Sequence, residues 1–313
     1  MINKEWHLKN KIALKNRLKN VGLDLSIYKK FPKKYIRINS RNPIKIIELE
    51  EGFLKKYGIK VKLEETTIKG IYESSNSNIG GWINGEKNVF FNNNYFIQDL
   101  ASIICIYELG LKQNKSFLET CAARGFKTIL ANDLMEGRIK ITALDIDQKK
   151  YKIMLDFFKK FKIKAKTKLI DSTKFKGNKY DFILIDAPCS SEGMNVIWNP
   201  KTKKDVSGLK NVLQYSQKDV INLSKLQKKL LQSGFDLLKP KGTLIYATCT
   251  LNKIENEEVI KSFLDKNPNA EIMKVNLKKY HVKNNSSELG VRIIPEKTKG
   301  FYFTKIKKGG KNS

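Results

Sequence analysis

Two cysteines each stand close behind a run of apolar residues that predicts a buried strand. Cys189 follows "YDFILIDAP", and Cys249 lies in "LIYATCT". The chain has 4 cysteines and 2 histidines, without CxxC spacing or a Cys/His cluster, so neither a zinc site nor a disulfide framework is expected. The alternative for any one cysteine is a small buried apolar side chain. Two thiols without metal partners in one crevice would instead indicate a nucleophile and a group that assists it.

The segments around these cysteines predict a fold that brings them together. Strand-like segments ("SFLETCA", "KITALDID", "AKTKLID", "YDFILIDAP", "KPKGTLIYATCT") alternate with helical ones such as "INLSKLQKKLLQSGFDLL". This alternation predicts an α/β fold with a doubly wound, mostly parallel sheet. Ligands of such sheets bind beyond the carboxyl ends of the strands, so Cys189 and Cys249 should share one crevice at that edge.

Acids end three of the predicted strands, at Asp145, Asp171 and Asp186. In dinucleotide-binding folds an acid at such a position accepts hydrogen bonds from ribose hydroxyls. Asp147 is an alternative to Asp145 for that role, although it fits a helix N-cap better. The turn "CAARGFKT", residues 121–128, leads into a helix N-terminus and suits a nucleotide-like ligand, with an ordinary strand–helix turn as the alternative.

A smaller unit precedes this sheet. Residues 1–85 contain helical segments ("KNKIALKNRL", "PIKIIELEEGFLKKYG") and alternating, strand-like ones ("KKYIRINS", "IKVKLEET"). The Ser-, Asn- and Gly-rich stretch "ESSNSNIGGWINGEKN" then predicts a loop. We therefore expect a small α+β N-terminal domain over residues 1–85 and the main domain over residues 86–313.

The charge of the chain indicates a polyanionic partner. Lys and Arg number 61 against 31 Asp and Glu, which gives a formal net charge of +30. Nucleic acid is the simplest partner for such a chain. Only 6 of the basic residues are arginines, and a lysine-rich composition also occurs in proteins encoded by AT-rich genomes.

Several motifs resemble the NOL/NOP/SUN family of RNA cytosine-5 methyltransferases. They are "FIQDLAS", "DAPCSSEGM", "YATCTLNKIENE" and "RIIPEKTKGFYFTKIKK", and "PKKYIRIN" resembles that family's N-terminal RNA-binding portion. The resemblance extends from Pro32 to Lys307. DNA cytosine methyltransferases use only the Pro-Cys cysteine, so the additional Thr-Cys motif favours the RNA class. The resemblance implies a Rossmann-like methyltransferase with a seven-stranded sheet that uses S-adenosylmethionine.

The resemblance also implies roles for the residues at the strand ends. Cys249 would be the nucleophile that adds to carbon 6 of cytosine, and Cys189 would assist release of the product. Asp186 would hydrogen-bond the ring nitrogen and the amino group of the cytosine. These three are the predicted catalytic residues.

The predicted cofactor site departs from the family pattern. The cofactor-binding residues implied by the resemblance are Cys121, Ala122, Ala123, Arg124, Gly125, Phe126, Lys127, Asp145, Asp171 and Asp186. The family's turn usually reads Ala-Ala-Pro-Gly-Gly-Lys, so Arg124 stands in place of a proline and Phe126 in place of a glycine. If that glycine had a positive φ, Phe126 would be strained or the turn would be shifted. Glu119 stands where aspartate is usual.

Four residues of the N-terminal unit are the predicted RNA contacts: Lys33, Lys34, Arg37 and Arg41. Arg37 is the strongest candidate because it lies in the family-like "YIRIN", and a solvated surface charge is the alternative for each. We expect tRNA as the substrate because the chain carries no long appended domain, and rRNA stays open. An RNA-binding protein with a decayed cofactor site is the alternative of another class. A nicotinamide-dependent dehydrogenase would lack its GxGxxG motif here.

Targeting signals are not evident in the sequence. No apolar run approaches the length of a membrane span, and the basic N-terminus lacks the apolar core of a secretory signal. We expect a cytoplasmic, monomeric protein without a metal or a membrane partner. Organelle targeting stays open.

Overall fold

The computed structural model describes residues 4–29, 32–76, 79, 82–83, 86–87, 94–194, 197–199, 204–206 and 213–310. Within these ranges the chain forms two sheets with helices packed on them, and two short hairpins. None of the described helices combines the length and the apolar character that a bilayer crossing requires.

The N-terminal unit is built on a four-stranded antiparallel sheet in the order β2-β3-β1-β6. Its elements are α1 (Lys4–Lys19), β1 (Lys34–Ile38), α2 (Ile46–Tyr57), β2 (Leu63–Glu65), β3 (Ile71–Ser74), β4 (Trp82–Ile83), β5 (Glu86–Lys87) and β6 (Tyr95–Ile97), with a 3-10 turn over Leu25–Lys29. Leu49 and Phe53 lie one turn apart on α2 and are buried, and Gly58 ends the helix with a φ of 65°. Strands β4 and β5 pair only with each other.

The main sheet has nine strands, whereas the family resemblance implied seven. Its order is β15-β16-β17-β13-β10-β7-β8-β9, and β14 also pairs with β17. The strands are β7 (Ser116–Thr120), β8 (Lys140–Asp145), β9 (Ala165–Leu169), β10 (Tyr180–Asp186), β13 (Leu238–Thr248), β14 (Ala270–Ile272), β15 (Asn284–Ser287), β16 (Gly290–Ile293) and β17 (Phe301–Lys308). β11 (Ile197–Asn199) and β12 (Lys204–Val206) form a separate hairpin.

Five adjacent strands of the main sheet run parallel to one another, in the order β13-β10-β7-β8-β9. The four C-terminal strands are antiparallel to their neighbours. The additional strands arise because β14 and β16 each pair with a different half of the long strand β17. The sheet is therefore mostly parallel at its centre, as the sequence predicts.

Helices cover both faces of this sheet. They are α3 (Leu100–Leu109), α4 (Phe126–Leu134), α5 (Gln148–Lys160), α6 (Gln217–Asp236) and α7 (Glu257–Leu264). Ile103, Ile129 and Met154 from α3, α4 and α5 belong to one buried cluster, whereas Leu231 and Ile260 from α6 and α7 belong to another. The fold is thus doubly wound, and each fully buried side chain of this size contributes roughly 1.5–3 kcal/mol.

The chain crosses between the two sheets later than residue 85, the predicted boundary. Strand β6 (Tyr95–Ile97) pairs with β1 and completes the N-terminal sheet, and α3 begins only a few residues later. This last strand was not predicted, because the composition of the preceding residues is typical of a loop. Conversely, Leu14 and Leu18 of α1 pack with Leu213 and Leu251 of the main domain.

Candidate active site

Cys189 and Cys249, which follow two predicted strands, lie side by side. Strands β10 and β13 are parallel neighbours, with Asp186 opposite Ala247, so the loops that follow them leave the sheet together. The Sγ atoms of Cys189 and Cys249 are 3.2 Å apart. Both thiols are free, and Cys189 is buried whereas Cys249 is partly exposed. The structure therefore brings together the two groups for which the sequence predicts a shared crevice.

The contact between the thiols makes them chemically unequal. A hydrogen bond from the Cys189 thiol lowers the pKa of Cys249, and the Ser191 hydroxyl, 3.6 Å from its sulfur, acts in the same direction, although burial opposes both. The same hydrogen bond, together with burial, raises the pKa of Cys189. Because the thiolate is the attacking form of cysteine, the direction of these pKa shifts favours the predicted role of Cys249 as the nucleophile.

A buried carboxylate holds both cysteine loops. Glu255 is fully buried and accepts hydrogen bonds from the backbone N–H of Ser190, 3.0 Å away, and from the side-chain amides of Gln227 and Asn252, each at 2.8 Å. The Ser190 hydroxyl donates to it as well, and also contacts Thr250 Oγ1 at 2.8 Å. Glu255 was not among the predicted site residues, although it lies in the quoted motif "YATCTLNKIENE".

Two glycines allow the cysteine loops to approach the segment before β17. The backbone N–H of Gly193 donates to the carbonyl oxygen of Cys249 at 2.8 Å, and the N–H of Gly300 donates to the carbonyl of Gly193 at 2.8 Å. A Cβ atom on Gly193 would lie 2.2 Å from the carbonyl oxygen of Gly300. Only glycine permits this approach.

Asp186 is paired with Lys127, which lies in the turn that the sequence predicts to bind the cofactor. Lys127 Nζ lies 2.6 Å from Asp186 Oδ2, and the two side chains are 14% and 25% exposed. Burial would lower the pKa of Lys127, but the charges of Asp186 and Glu119 hold it above its usual value. Lys127 therefore holds Asp186 at the end of β10, the strand that leads to Cys189.

The turn between β7 and α4 is a tight loop of small residues. Cys121, Ala123 and Gly125 have φ values of 56°, 51° and 78°. Asp145 fixes this loop, because its Oδ2 accepts the backbone N–H of Ala123 at 2.6 Å. Phe126 does not have a positive φ, so the backbone strain considered for it is absent.

Phe126 instead opens helix α4 and joins a group of aromatic rings. Its ring lies 6.3 Å from that of Phe96, edge to face, and 5.3 Å from that of Phe157. Arg124 is exposed at the mouth of the turn. Phe126, at the position of the family's glycine, thus packs at the start of the helix without itself adopting a positive φ.

A cavity of about 330 Å³ lies against this turn. It is lined by six of the residues predicted to bind cofactor and by six that were not predicted: Ala122, Ala123, Arg124, Phe126, Lys127 and Asp186, and Ile97, Gln98, Asp99, Ser102, Glu119 and Lys150. Four of the unpredicted residues belong to the quoted motif "FIQDLAS", which was the available signal.

The remaining predicted cofactor residues, Cys121, Gly125, Asp145 and Asp171, are not among those that line the cavity. Asp145 also accepts the backbone N–H of Asp147 at 2.8 Å, which holds the strand end. Asp171 accepts hydrogen bonds from the hydroxyl and the backbone N–H of Thr173, which lower its pKa and cap the turn after β9. Contacts of these two acids with a cofactor stay a prediction.

The predicted RNA residues fall into two pairs. Lys33 and Lys34 begin β1 beside the segment 297–300, since the N–H of Lys33 donates to the carbonyl of Lys297 at 2.6 Å. Arg37 and Arg41 lie instead toward the C-terminal end of α4, where Asp133 is the common partner.

The RNA contact predicted for Arg37 is wrong for this structure. Its side chain is 3% exposed, its Nη1 lies 2.6 Å from Asp133 Oδ2, and its guanidinium stacks over Phe96. It also donates to Gln98 Oε1 at 3.1 Å. A charged residue in an alternating strand looked like a surface contact, but its hydrogen-bond partners lie 61 or more residues away in the sequence and could not be anticipated.

Within the described ranges, His, Cys, Asp and Glu side chains form no group of three or more that could hold a metal ion.

Comparison with known proteins places this site in a family. Residues 106–307 match the family described as 16S rRNA methyltransferase RsmB/F. The chain is 30% identical over 218 residues to ribosomal RNA small subunit methyltransferase B of Vibrio vulnificus, covering 68% of this chain and 46% of that protein. It is 31% identical over 234 residues to the probable ribosomal RNA small subunit methyltransferase B of Bacillus subtilis, covering 72% and 45%. The chain spans about half the length of the curated relatives it matches.

Two solved structures share the fold over nearly the whole chain. The crystal structure of PH0851 has a TM-score of 0.74 and 26% sequence identity, covering 96% of this chain and 65% of that one. The crystal structure of NSun6 from Pyrococcus horikoshii with SFG has a TM-score of 0.72 and 18% identity, covering 98% of both chains. This likeness extends through the N-terminal unit as well as the main sheet.

Proposed function

The chain belongs to the 16S rRNA methyltransferase RsmB/F family, and on that premise we propose that it methylates carbon 5 of a cytosine in RNA. The family and its structural neighbours are S-adenosylmethionine-dependent methyltransferases, in line with the resemblance seen in the sequence. The observation that carries the proposal is the pair of free thiols 3.2 Å apart at the carboxyl edge of the sheet, with the pKa of one lowered.

The residues support a covalent route to this product. Carbon 5 of cytosine is a weak nucleophile, and addition of the Cys249 thiolate to carbon 6 makes it reactive by moving the electron pair of the double bond onto carbon 5. Asp186, which Lys127 holds, would hydrogen-bond the ring nitrogen and the amino group of the cytosine, as the resemblance implies. Once carbon 5 carries the methyl group, loss of its proton to a base restores the double bond and expels the Cys249 thiolate. Cys189 lies beside the sulfur that must leave.

The cavity beside the turn fits the cofactor that the family uses. Its volume of about 330 Å³ lies within the range of small-molecule sites. Asp99, Glu119 and Asp186 suit the amino and sulfonium groups of S-adenosylmethionine, and Arg124 and Lys150 suit its carboxylate. When bound, the cofactor supplies an electrophilic methyl group. Asp145 would contact the ribose and Asp171 the adenine, as the resemblance implies.

The substrate we propose is rRNA. The relatives are named as ribosomal RNA small subunit methyltransferases, which favours rRNA over the tRNA expected from the sequence. Bisulfite sequencing of total RNA with and without the protein would name the modified molecule, and a protein-dependent signal confined to tRNA would reverse this choice.

The two cysteines provide the direct test of the mechanism. We expect Cys249→Ala to abolish methylation and adduct formation, because it removes the attacking sulfur. Cys189→Ala should accumulate a denaturation-resistant protein–RNA adduct, because release is impaired. The measurement is a denaturing gel with labelled RNA in the presence of S-adenosylmethionine.

Cys105→Ala is the matched control, because Cys105 is buried in α3 among core residues and should leave the adduct unchanged. An adduct that depends on Cys189 and persists without Cys249 would reverse the two roles.

A further inference from the structure

Lys299 lies in the segment that joins the N-terminal lysines to the nucleophile. Its backbone N–H donates to Asp99 Oδ2 at 3.2 Å, and the hydroxyl of the preceding Thr298 donates to Asp99 Oδ1 at 3.0 Å. The next residue, Gly300, binds Gly193, whose N–H in turn binds the carbonyl of Cys249. Two successive backbone hydrogen bonds therefore connect the neighbour of Lys299 to the nucleophile.

Asp99 ties the same segment to the cofactor cavity. It lines that cavity and also caps α3 by accepting the N–H of Ala101 at 3.0 Å. Lys299 thus stands where the rim of the cofactor cavity meets the cysteine loops. If the target base enters between the cofactor and the thiols, the phosphate backbone of its RNA strand would lie near Lys299.

A second cation, Lys34, begins β1 beside the segment of Lys299, since the backbone N–H of the preceding Lys33 donates to the carbonyl of Lys297 at 2.6 Å. Burial lowers the pKa of Lys34, and the charge of Lys299 lowers it further, while Asp99 opposes them. Among the residues that the structure describes, neither Lys34 nor Lys299 forms an ion pair within 4.0 Å. Both side chains are only partly exposed. Like charges held together in this way repel each other unless an anion lies between them.

Lys297, two residues away, has a different environment. It is exposed and lines a separate cavity of about 230 Å³ together with Glu64, Glu65 and Glu73. Three carboxylates make that side unattractive to an anion. The segment therefore carries one lysine on an acidic side and another beside a second cation near the thiols.

We propose that Lys299 and Lys34 together bind a phosphate of the RNA strand next to the target cytosine. This proposal rests on the proposed function, because the methylated base must be turned out of its stack to reach Cys249. A phosphate held at the rim fixes the strand while the base enters the crevice. Lysine side chains serve this purpose without reading the sequence, so the contact positions the RNA and leaves recognition to other residues.

The test is RNA binding measured by fluorescence anisotropy at several salt concentrations. The probe is a short single-stranded RNA with one central cytosine, and the variants are Lys299→Gln, Lys299→Arg and, as the matched control, Lys297→Gln. We expect Lys299→Gln to weaken binding about 3- to 10-fold and to reduce the slope of log K against log salt by about 0.7. Lys299→Arg should retain both, and Lys297→Gln should resemble the wild type.

Each alternative outcome has a distinct meaning. Equal losses in Lys299→Gln and Lys297→Gln would overturn the phosphate site while leaving the proposed function intact. A wild type that binds RNA through Lys299 but never methylates it would refute the activity and retain the site. Absence of RNA binding by the wild type would overturn both. Affinity for S-adenosylhomocysteine should stay unchanged in Lys299→Gln, and a parallel loss there would assign Lys299 to the cofactor instead.

Discussion

Glu119 illustrates, at the scale of a single residue, how burial controls charge in this site. It lies in β7 next to the last residue of the strand and is 1% exposed. It accepts a hydrogen bond from the hydroxyl of Thr128. Burial raises the pKa of Glu119 to about 7, although Lys127 and Thr128 both lower it. A carboxyl of this kind binds a proton more tightly in the folded chain than in the unfolded one.

This property makes a prediction about stability and pH. Because the folded pKa is raised from 4.5 to about 7, the folded state binds more protons between these values, and stability falls as pH rises through that window. The shift corresponds to roughly 3 kcal/mol. We expect Glu119→Gln to lose most of this dependence, as measured by urea denaturation at pH 5 and pH 8. The prediction would be contradicted if the free energy of unfolding changed by the same amount between pH 5 and pH 8 in the wild type and in Glu119→Gln.

The sequence identified the candidate catalytic residues but not their partners. Cys189, Cys249 and Asp186 could be chosen because each follows an apolar strand, and strand ends of a parallel sheet share one edge. Glu255 and Arg37 could not be interpreted correctly, because their surroundings depend on contacts between distant segments. Periodicity indicates which face of an element is buried, and it does not identify what lies opposite.

At the scale of elements, helix α1 supports the loop that carries Cys189. Arg17 Nε lies 2.6 Å from Glu192 Oε1, and the two side chains are 4% and 0% exposed. Arg17 also donates to Gln217 at the start of α6, and Tyr28 donates to the carbonyl of Glu192 at 2.8 Å. The helix was predicted from the sequence, but its partners, residues 192 and 217, were too remote to be identified.

Removal of this buried pair should affect both stability and product release. Breaking one partner leaves an uncompensated buried charge, so we expect Arg17→Met to cost about 3–5 kcal/mol. Because Glu192 lies in the loop that follows Cys189, the protein–RNA adduct should also decay more slowly in this variant. The measurements are urea denaturation and the lifetime of the adduct on a denaturing gel.

Arg138→Met is the matched control, since Arg138 pairs with Glu136 on the surface, where the side chains are 54% and 69% exposed. Its loss should cost at most about 1 kcal/mol. An adduct lifetime unchanged in a folded Arg17→Met protein would show that α1 has no influence on release.

At the scale of the whole molecule, the cavity that we propose for the cofactor joins the two units of the fold. Ile97 ends the last strand of the N-terminal sheet, whereas Lys127 and Asp186 belong to the main domain, and all three line the cavity. The alternation of strands with helices and the mostly parallel centre of the main sheet were predictable from the sequence. The last strand of the N-terminal sheet and the antiparallel additions around β17 were not, because short strands carry little periodicity.

A ligand that bridges both units should stabilise the whole chain. We expect S-adenosylhomocysteine at about 100 times its Kd to add about 2.7 kcal/mol to the free energy of unfolding. Differential scanning calorimetry would record this as a rise in Tm. An unchanged Tm at millimolar ligand would indicate the alternative of an RNA-binding protein whose cofactor site has decayed.

The two glycines that meet between the thiol loops limit how this protein can diverge. Gly193 and Gly300 lie far apart in the sequence, yet a side chain on either one would meet the backbone of the other. A substitution at one position cannot be compensated at its partner, because glycine is already the smallest residue there. Neutral substitutions are therefore not expected at either position for as long as the position of Cys249 must be kept. Descendants that lose either glycine should also have lost the proposed methyltransferase activity.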